Sequence, residues 1–328
     1  MHMRAFLDYD QKYPDLVYRL IEFFKNNSKG EKTVVDFCES YKVPEGEDKI
    51  QPMIIGRICD RLWERSILYC ITSGLGLRTK DSYSSLGIDQ GLYNKFPDLV
   101  NHRLNSLVYG FEYIYTHYKV RTIPVVVKIG EDDSMGTCFR IFNGIATAKH
   151  CLTDGKPVAI RGYSKERLQR CSVYISKNPG IDLAFIATGE NHIPNDAEPH
   201  VLDDVLVMGY PKVSWFLEFC TGEKANISAM ADLRLTPTLG SVAAEGEIYS
   251  PRGLPKMLLV TAKIAGGNSG GPVINEEGYV VGISTNISDG TGLSDDHVGY
   301  GVAYPIQALV DMIKEDNKIE VEFRDWPY

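Results

Sequence analysis

Apolar residues recur at helical spacing through the first third of the chain. Between Tyr13 and Lys25 they are Leu16, Val17, Leu20, Ile21, Phe23 and Phe24, and Asn26-Asn27-Ser28-Lys29-Gly30 then stops the helix. A second helix is expected from Thr33 to Tyr41, with Val34, Val35, Phe37 and Cys38 inward, before Pro44-Glu45-Gly46 breaks the chain. A third runs from Met53 to Ser66 on Ile54, Ile55, Ile58, Leu62 and Trp63. Two short strands, Ile67 to Ile71 and Leu77 to Tyr83, follow around Ser73-Gly74, and a last amphipathic helix spans Leu99 to Tyr115. Three helices and a small hairpin resemble a winged helix, a shape that serves either DNA reading or protein interaction.

The periodicity changes from 3.6 to 2 between Thr116 and Ile123, which marks the one expected domain boundary. From Pro124 the chain reads as short β-branched or alternating runs: Val125–Ile129, Thr137–Phe142, Ile145–Ala148, Val158–Arg161, Ser172–Ile175, Leu183–Ala187 and Val205–Met208. Met257–Ala262, Tyr279–Ser284 and Tyr300–Ala303 continue the series, with Asn143-Gly144, Asp154-Gly155, Pro179-Gly180 and Glu277-Gly278 as turns. Many short strands so punctuated indicate a sandwich or barrel. Only Ile306 to Lys314 reads as a helix here, and Ile319 to Phe323 is one more strand-like piece in a charged tail. The expected architecture is therefore a mainly α domain over residues 1–119 followed by an all-β domain over residues 120–328.

Charge narrows the range of partners. Residues 1–120 hold 16 of the 35 Lys and Arg and 16 of the 43 Asp and Glu, so the whole net charge of −8 falls on residues 121–328. Neither part has the basic excess that phosphate neutralisation requires, and nucleic-acid binding is not expected. The start Met1 to Asp10 lacks the pattern of a signal peptide, and no apolar run reaches the ~18 to 20 residues of a membrane span. Seven scattered cysteines without zinc-site spacing read as reduced thiols. A soluble cytoplasmic protein without membrane contact is the expectation.

Candidate chemistry centres on Ala265-Gly266-Gly267-Asn268-Ser269-Gly270-Gly271-Pro272-Val273, between two strand-like runs. Glycines on both sides of a serine allow close approach of a substrate and leave amides unshielded, so those of Gly267 and Ser269 can point at one carbonyl oxygen. Taken alone, such a stretch is a turn. Upstream, Ile145-Ala146-Thr147-Ala148-Lys149-His150-Cys151 ends a strand on a histidine, and Gly180-Ile181-Asp182-Leu183-Ala184 heads an apolar strand with an aspartate. His150, Asp182 and Ser269 follow in the order His, Asp, Ser, all at strand edges.

These residues resemble the chymotrypsin-fold serine proteases, which share the order His, Asp, Ser, and within them the Deg, or high-temperature-requirement, branch. Gly267 to Pro272 matches that branch's Gly-Asn-Ser-Gly-Gly-Pro. Met135-Gly136-Thr137-Cys138-Phe139, Ala148-Lys149-His150-Cys151, Asp182-Leu183-Ala184, Val207-Met208-Gly209-Tyr210-Pro211 and Tyr300 to Ile306 are similar to further segments of it, over roughly residues 122–314. The resemblance implies a double β-barrel and an endopeptidase acting on protein or peptide substrates, with no metal or organic cofactor required. It implies Ser269 as nucleophile, His150 as general base and acid, Asp182 as its orienter, and an oxyanion hole from Gly267 and Ser269. It also implies a primary specificity pocket with Lys263 at its floor and walls from Ser284, Thr285, Asn286, Ile287 and Gly301. An ammonium there would favour an acidic residue before the scissile bond, unless Lys263 turns outward or pairs with Asp295 or Asp296.

Three departures limit the likeness. The chain has no Ile-Val-Gly-Gly-type start to its protease part, and Asn268 stands where self-activating relatives have aspartate. No PDZ domain follows before Tyr328, and the usual disulfide partner of Cys151 falls at Ser134 or Met135. Regulation is thus expected from residues 1–119, through a protein partner or self-association, as in a stress or defence effector. Two other classes remain open: a catalytically silent protease-shaped binding module, and a winged-helix DNA-binding regulator with a protease output.

Overall fold

The computed structural model describes residues 9–43, 49–72, 80–190, 192, 196–211, 234–247, 255–285 and 300–327. Contacts divide the chain into two compact units, Met1–Ile114 and Tyr115–Tyr328, a few residues before the boundary expected from periodicity.

In the first unit, α1 (Leu16–Phe23), α2 (Val34–Ser40) and α3 (Pro52–Glu64) precede a two-stranded antiparallel sheet of β1 (Tyr69–Thr72) and β2 (Ser82–Ser84). The second and third helices start for local reasons. The Thr33 hydroxyl caps the Asp36 amide at 3.3 Å while the Asp36 carboxylate returns to the Thr33 amide at 2.7 Å. Pro52 occupies the first turn of α3, where its missing N–H has no partner to lose. Leu16, Leu20, Phe24, Val34, Ile55, Ile58 and Leu62 are fully buried between these helices. Beyond the hairpin lie α4 (Gln90–Lys95), which the periodicity does not predict, and α5 (Pro97–Tyr109). The single helix expected from Leu99 to Tyr115 is two, because Gly110 at φ +70° ends α5 and α6 (Phe111–Tyr118) begins beyond it.

The second unit is β-rich. A seven-stranded antiparallel sheet contains β3 (Thr122–Ile129), β4 (Asp132–Ile141), β5 (Gly144–Thr147), β6 (Val158–Ile160), β7 (Ser172–Ile175), β8 (Ala184–Ala187) and β15 (Lys318–Ile319). Its order is β15-β7-β8-β5-β4-β3-β6, and the C-terminal tail closes it. Ile319 pairs with Val173 on one edge, and Phe323 bridges to Val158 on the other. Phe323 is 2% exposed in a core with Val125, Cys138, Ile145 and Val158. Two short helices interrupt the sheet's connections, α7 (His150–Thr153) and α8 (Lys165–Gln169), so Ile306–Lys314 is not the unit's sole helix.

A closed six-stranded barrel follows: β9 (Asp204–Gly209), β10 (Thr236–Glu247), β11 (Lys256–Val260), β12 (Pro272–Asn275), β13 (Val280–Thr285) and β14 (Gly301–Pro305). Val207, Val242, Leu258, Val273 and Val281 fill its interior. β14 runs directly into α9 (Ile306–Lys314), whose Ile306, Leu309 and Met312 are buried. A sheet closed by the C-terminal tail and a closed barrel, preceded by helices, are the expected double barrel after a helical region.

Candidate active site

Each barrel contributes part of the site. His150 opens α7, three residues past the end of β5, and Asp182 stands two residues before β8, which pairs with β5. The pairing brings the two side chains together: His150 Nδ1 and Asp182 Oδ2 lie 2.6 Å apart, and the His150 amide donates to Asp182 Oδ1 at 2.9 Å. A carboxylate can only accept, so Nδ1 carries a proton and Nε2 is left to act as a base. The Thr285 hydroxyl, on β13 of the second barrel, donates to Asp182 Oδ2 at 3.0 Å. Burial disfavours the charged imidazolium, but the hydrogen bonds to Asp182 and Cys151 and the nearby negative charge outweigh it, so the His150 pKa rises above the ordinary histidine value.

Ser269 sits in the turn before β12. Ala265 to Asn268 form a β-turn closed by the Asn268 amide donating to the Ala265 carbonyl at 2.9 Å. Gly267 holds the third position at φ +99°, the sign that a type II turn requires and that a side chain opposes. This sets the direction of the Gly266–Gly267 peptide, and among the described residues neither the Gly267 nor the Ser269 amide donates to a protein acceptor. Two such amides beside a serine can together receive an oxyanion.

Both barrels grip this turn. The buried Thr137 hydroxyl on β4 donates to the Gly267 carbonyl at 2.7 Å and accepts from the Tyr210 amide at 2.9 Å, while the Thr137 amide donates to the Ser269 carbonyl at 2.9 Å. From β13, the Ser284 hydroxyl donates to the Asn268 carbonyl at 2.6 Å. Contact is so close that a Cβ at Gly270 would lie 2.2 Å from the Thr137 carbonyl oxygen, so a hydrogen is all that fits.

His150 and Ser269 line one cleft of about 160 Å³ with Gly136, Cys151, Gly266 and Gly267. Among the described residues Ser269 Oγ makes no hydrogen bond, so His150 and Ser269 share the cleft without being joined. Free enzymes often hold this contact loosely and close it on substrate. Cys151 is a free thiol directed at the Ser269 carbonyl at 3.7 Å.

The pocket residues fare differently. Lys263 is exposed and its carbonyl accepts from Thr238, so it does not present the buried ammonium on which an acidic preference would rest. Ser284 and Thr285 are buried, but their hydroxyls are committed to the nucleophile turn and to Asp182. Gly301 pairs with Val260, and a Cβ there would meet Ile264 at 2.6 Å, so Ile264 is the side chain that crowds this wall. Asn286, Ile287, Asp295 and Asp296 lie outside the described residues. Thr285 and Tyr304 are the acid's partners that the linear pattern does not reveal, since a hydroxyl in a β-branched strand carries no mark of what it will face. Among the described residues no group of three or more His, Cys, Asp or Glu could hold a metal ion, and no helix is long and apolar enough to cross a membrane.

Part of the chain is similar to known proteins. Residues 136–283 match the family described as trypsin-like peptidase domain. The serine endoprotease DegS of Escherichia coli K12 is 28% identical over 185 residues, 53% of this chain and 46% of that protein. A probable periplasmic serine endoprotease, DegP-like, of Chlamydia pneumoniae is 31% identical over 184 residues, 53% of this chain and 33% of that one. The chain thus spans about half or less of the length of the curated relatives it matches. Among solved structures, the active form of the Rv3671c protease of M. tuberculosis aligns with a TM-score of 0.48 at 17% identity, covering 63% of this chain and 86% of that one. Residues 136–283 are thus similar to trypsin-like peptidase domains, and about half of the chain is similar to part of the Deg-type serine endoproteases.

Proposed function

We propose that the protein is a serine endopeptidase acting on protein substrates through an acyl-enzyme. One observation carries this reading: His150 and Ser269, from different barrels, line a single cleft, with His150 Nδ1 already committed to Asp182 and two amides at Ser269 that have no acceptor among the described residues. Ser269 Oγ attacks the scissile carbonyl carbon while His150 Nε2 takes its proton. The negative charge on the carbonyl oxygen is met by the Gly267 and Ser269 amides. The C–N bond then breaks, and His150 returns the proton to the departing amine. Water, deprotonated by the same imidazole, releases the acid and restores Ser269. Asp182 keeps Nδ1 protonated and stabilises the imidazolium throughout.

Control is part of the proposal. Asn268, 2% exposed, stands where an aspartate would pair with a freshly cut N-terminus, which favours regulation by residues 1–119, through a protein partner or self-association, in a reducing compartment. A winged-helix identity for those residues rests on the helix-and-hairpin order. The silent-module reading draws on the unjoined Ser269 and His150.

Digestion of an unfolded protein by the full chain, beside Ser269→Ala, decides between them. Loss of the nucleophile is expected to lower turnover by about 10⁶. Equal cleavage by both proteins, or none by the wild type with any partner tried, overturns the endopeptidase reading. If residues 120–328 alone match the full chain with and without partners, control by the N-terminal part falls.

A further inference from the structure

Asp182 belongs to a short segment, Gly180–Leu183, that precedes β8 and has no ladder of its own. Its main chain must therefore find partners elsewhere. The Asp182 carbonyl accepts from the Lys149 amide at 3.2 Å, next to His150. The Asp182 amide donates to the Tyr304 hydroxyl at 3.1 Å, and that hydroxyl in turn donates to the Gly180 carbonyl at 2.9 Å. One phenol thus closes both sides of Ile181.

Tyr304 is 4% exposed and lies on β14, where it pairs with Ile283 while Val302 pairs with Thr285. The strands that carry Tyr304 and Thr285 are neighbours in the second barrel, whereas Asp182 and His150 belong to the first. The backbone and the carboxylate of the acid are therefore both held from across the barrel boundary. A buried tyrosine must pair its hydroxyl, but many single acceptors would do that. Here it is spent on two main-chain groups of the acid's own segment.

The surroundings make that grip consequential. Tyr304 borders an open groove of about 290 Å³, together with Ile181, Glu198, Pro305, Met312 and Glu315. On the side of Ile181 the segment borders this open space, so there its position rests on hydrogen bonds, those of Tyr304 among them, more than on side-chain packing. We infer that Tyr304 is a positioning residue for the triad, setting where Asp182 meets His150. This deepens the proposed function and rests on it for the catalytic role of Asp182; the contact itself has a readout of its own.

The test is Tyr304→Phe in the full chain, which removes the hydroxyl and keeps the ring. Turnover is expected to fall about tenfold with KM unchanged, the scale of two lost hydrogen bonds. In an Asp182→Asn background the same change should move turnover by less than about twofold, because a residue acting through Asp182 has nothing left to position. The downfield proton resonance of His150 Nδ1, a signature of its bond to a carboxylate, should shift or broaden in Tyr304→Phe, whether or not the protein cleaves anything. Tyr304→Met, apolar and without a hydroxyl, must give the same spectral change if the phenylalanine variant folds poorly. An unchanged resonance, or an equal loss of turnover in both backgrounds, overturns the inference. A shifted resonance in a protein without peptidase activity keeps the inference and removes the endopeptidase reading instead.

Discussion

Replacing Thr137 by valine removes one hydroxyl and keeps the shape of the side chain. That hydroxyl stands between the Tyr210 amide at 2.9 Å and the Gly267 carbonyl at 2.7 Å, and Thr137 is fully buried. Valine leaves both groups without a partner where water does not easily reach them. Each such orphan costs about 1–3 kcal/mol, so the fold should lose at least about 2 kcal/mol. The effect on catalysis follows from the turn. The Gly267–Asn268 peptide is held at its carbonyl by Thr137 and at its amide by Ala265, and releasing one end lets the neighbouring Gly267 N–H swing away from the oxyanion site. Outright loss of such a donor costs about 2.7–4 kcal/mol, a factor of 10² to 10³. A misdirected donor should cost less, about 10- to 100-fold in kcat, with KM nearly unchanged because the charge it serves exists only in the transition state. Steady-state kinetics on a peptide, with inhibition by a peptide boronate as transition-state mimic, measure both parts. Thr137→Ser should restore kcat and inhibitor affinity. A folded Thr137→Val enzyme with kcat within about twofold of wild type would refute the role given to this hydroxyl.

Two further outcomes concern closure and pH. Phe323→Ala empties a buried site in the tail that joins β7 to β6, and should destabilise the protein by about 3–5 kcal/mol in denaturant unfolding; a loss under about 1 kcal/mol would mean that the tail is not part of the core. His150 has its pKa raised, chiefly by Asp182 against the opposing effect of burial, and catalysis needs the neutral ring. The acid limb of kcat/KM should therefore lie above the ordinary value of about 6.5 and move down in Asp182→Asn. The imidazolium's contribution to stability has the opposite sense: it is present below the unfolded value and is lost as pH rises through the raised one. A limb at or below about 6.5 in the wild type contradicts the pairing.

Much of the architecture was legible in the linear pattern because local physics dictates it. Ser172–Ile175 and Ile306–Lys314 form as the period of their apolar residues requires, and the switch of period near Thr116 falls close to the division between units. β10 escaped notice for a physical reason. Its Thr-Pro-Thr-Leu-Gly-Ser-Val-Ala-Ala stretch has weak strand preference, and its strand forms between β9 and β11, which supply partners on both sides. α4 is equally silent in periodicity, since none of its residues is buried.

The same division runs through the site. Order along the chain, through the resemblance it carries, singled out His150, Asp182 and Ser269 as candidates, and the structure joins His150 to Asp182 and sets His150 and Ser269 on one cleft. Which hydroxyls serve them is a matter of strand register. Pairing of Ser284 with Ala303 and Thr285 with Val302 brings Thr285 and Tyr304 onto neighbouring strands that meet Asp182, more than a hundred residues away in sequence. Likewise the side chain at Lys263 turns outward and leaves Ile264 against Gly301, an alternation set by backbone direction that spacing from the nucleophile does not reveal. Residue chemistry is local and can be read in order; which face a side chain presents, and to what, is decided only when two barrels close on each other.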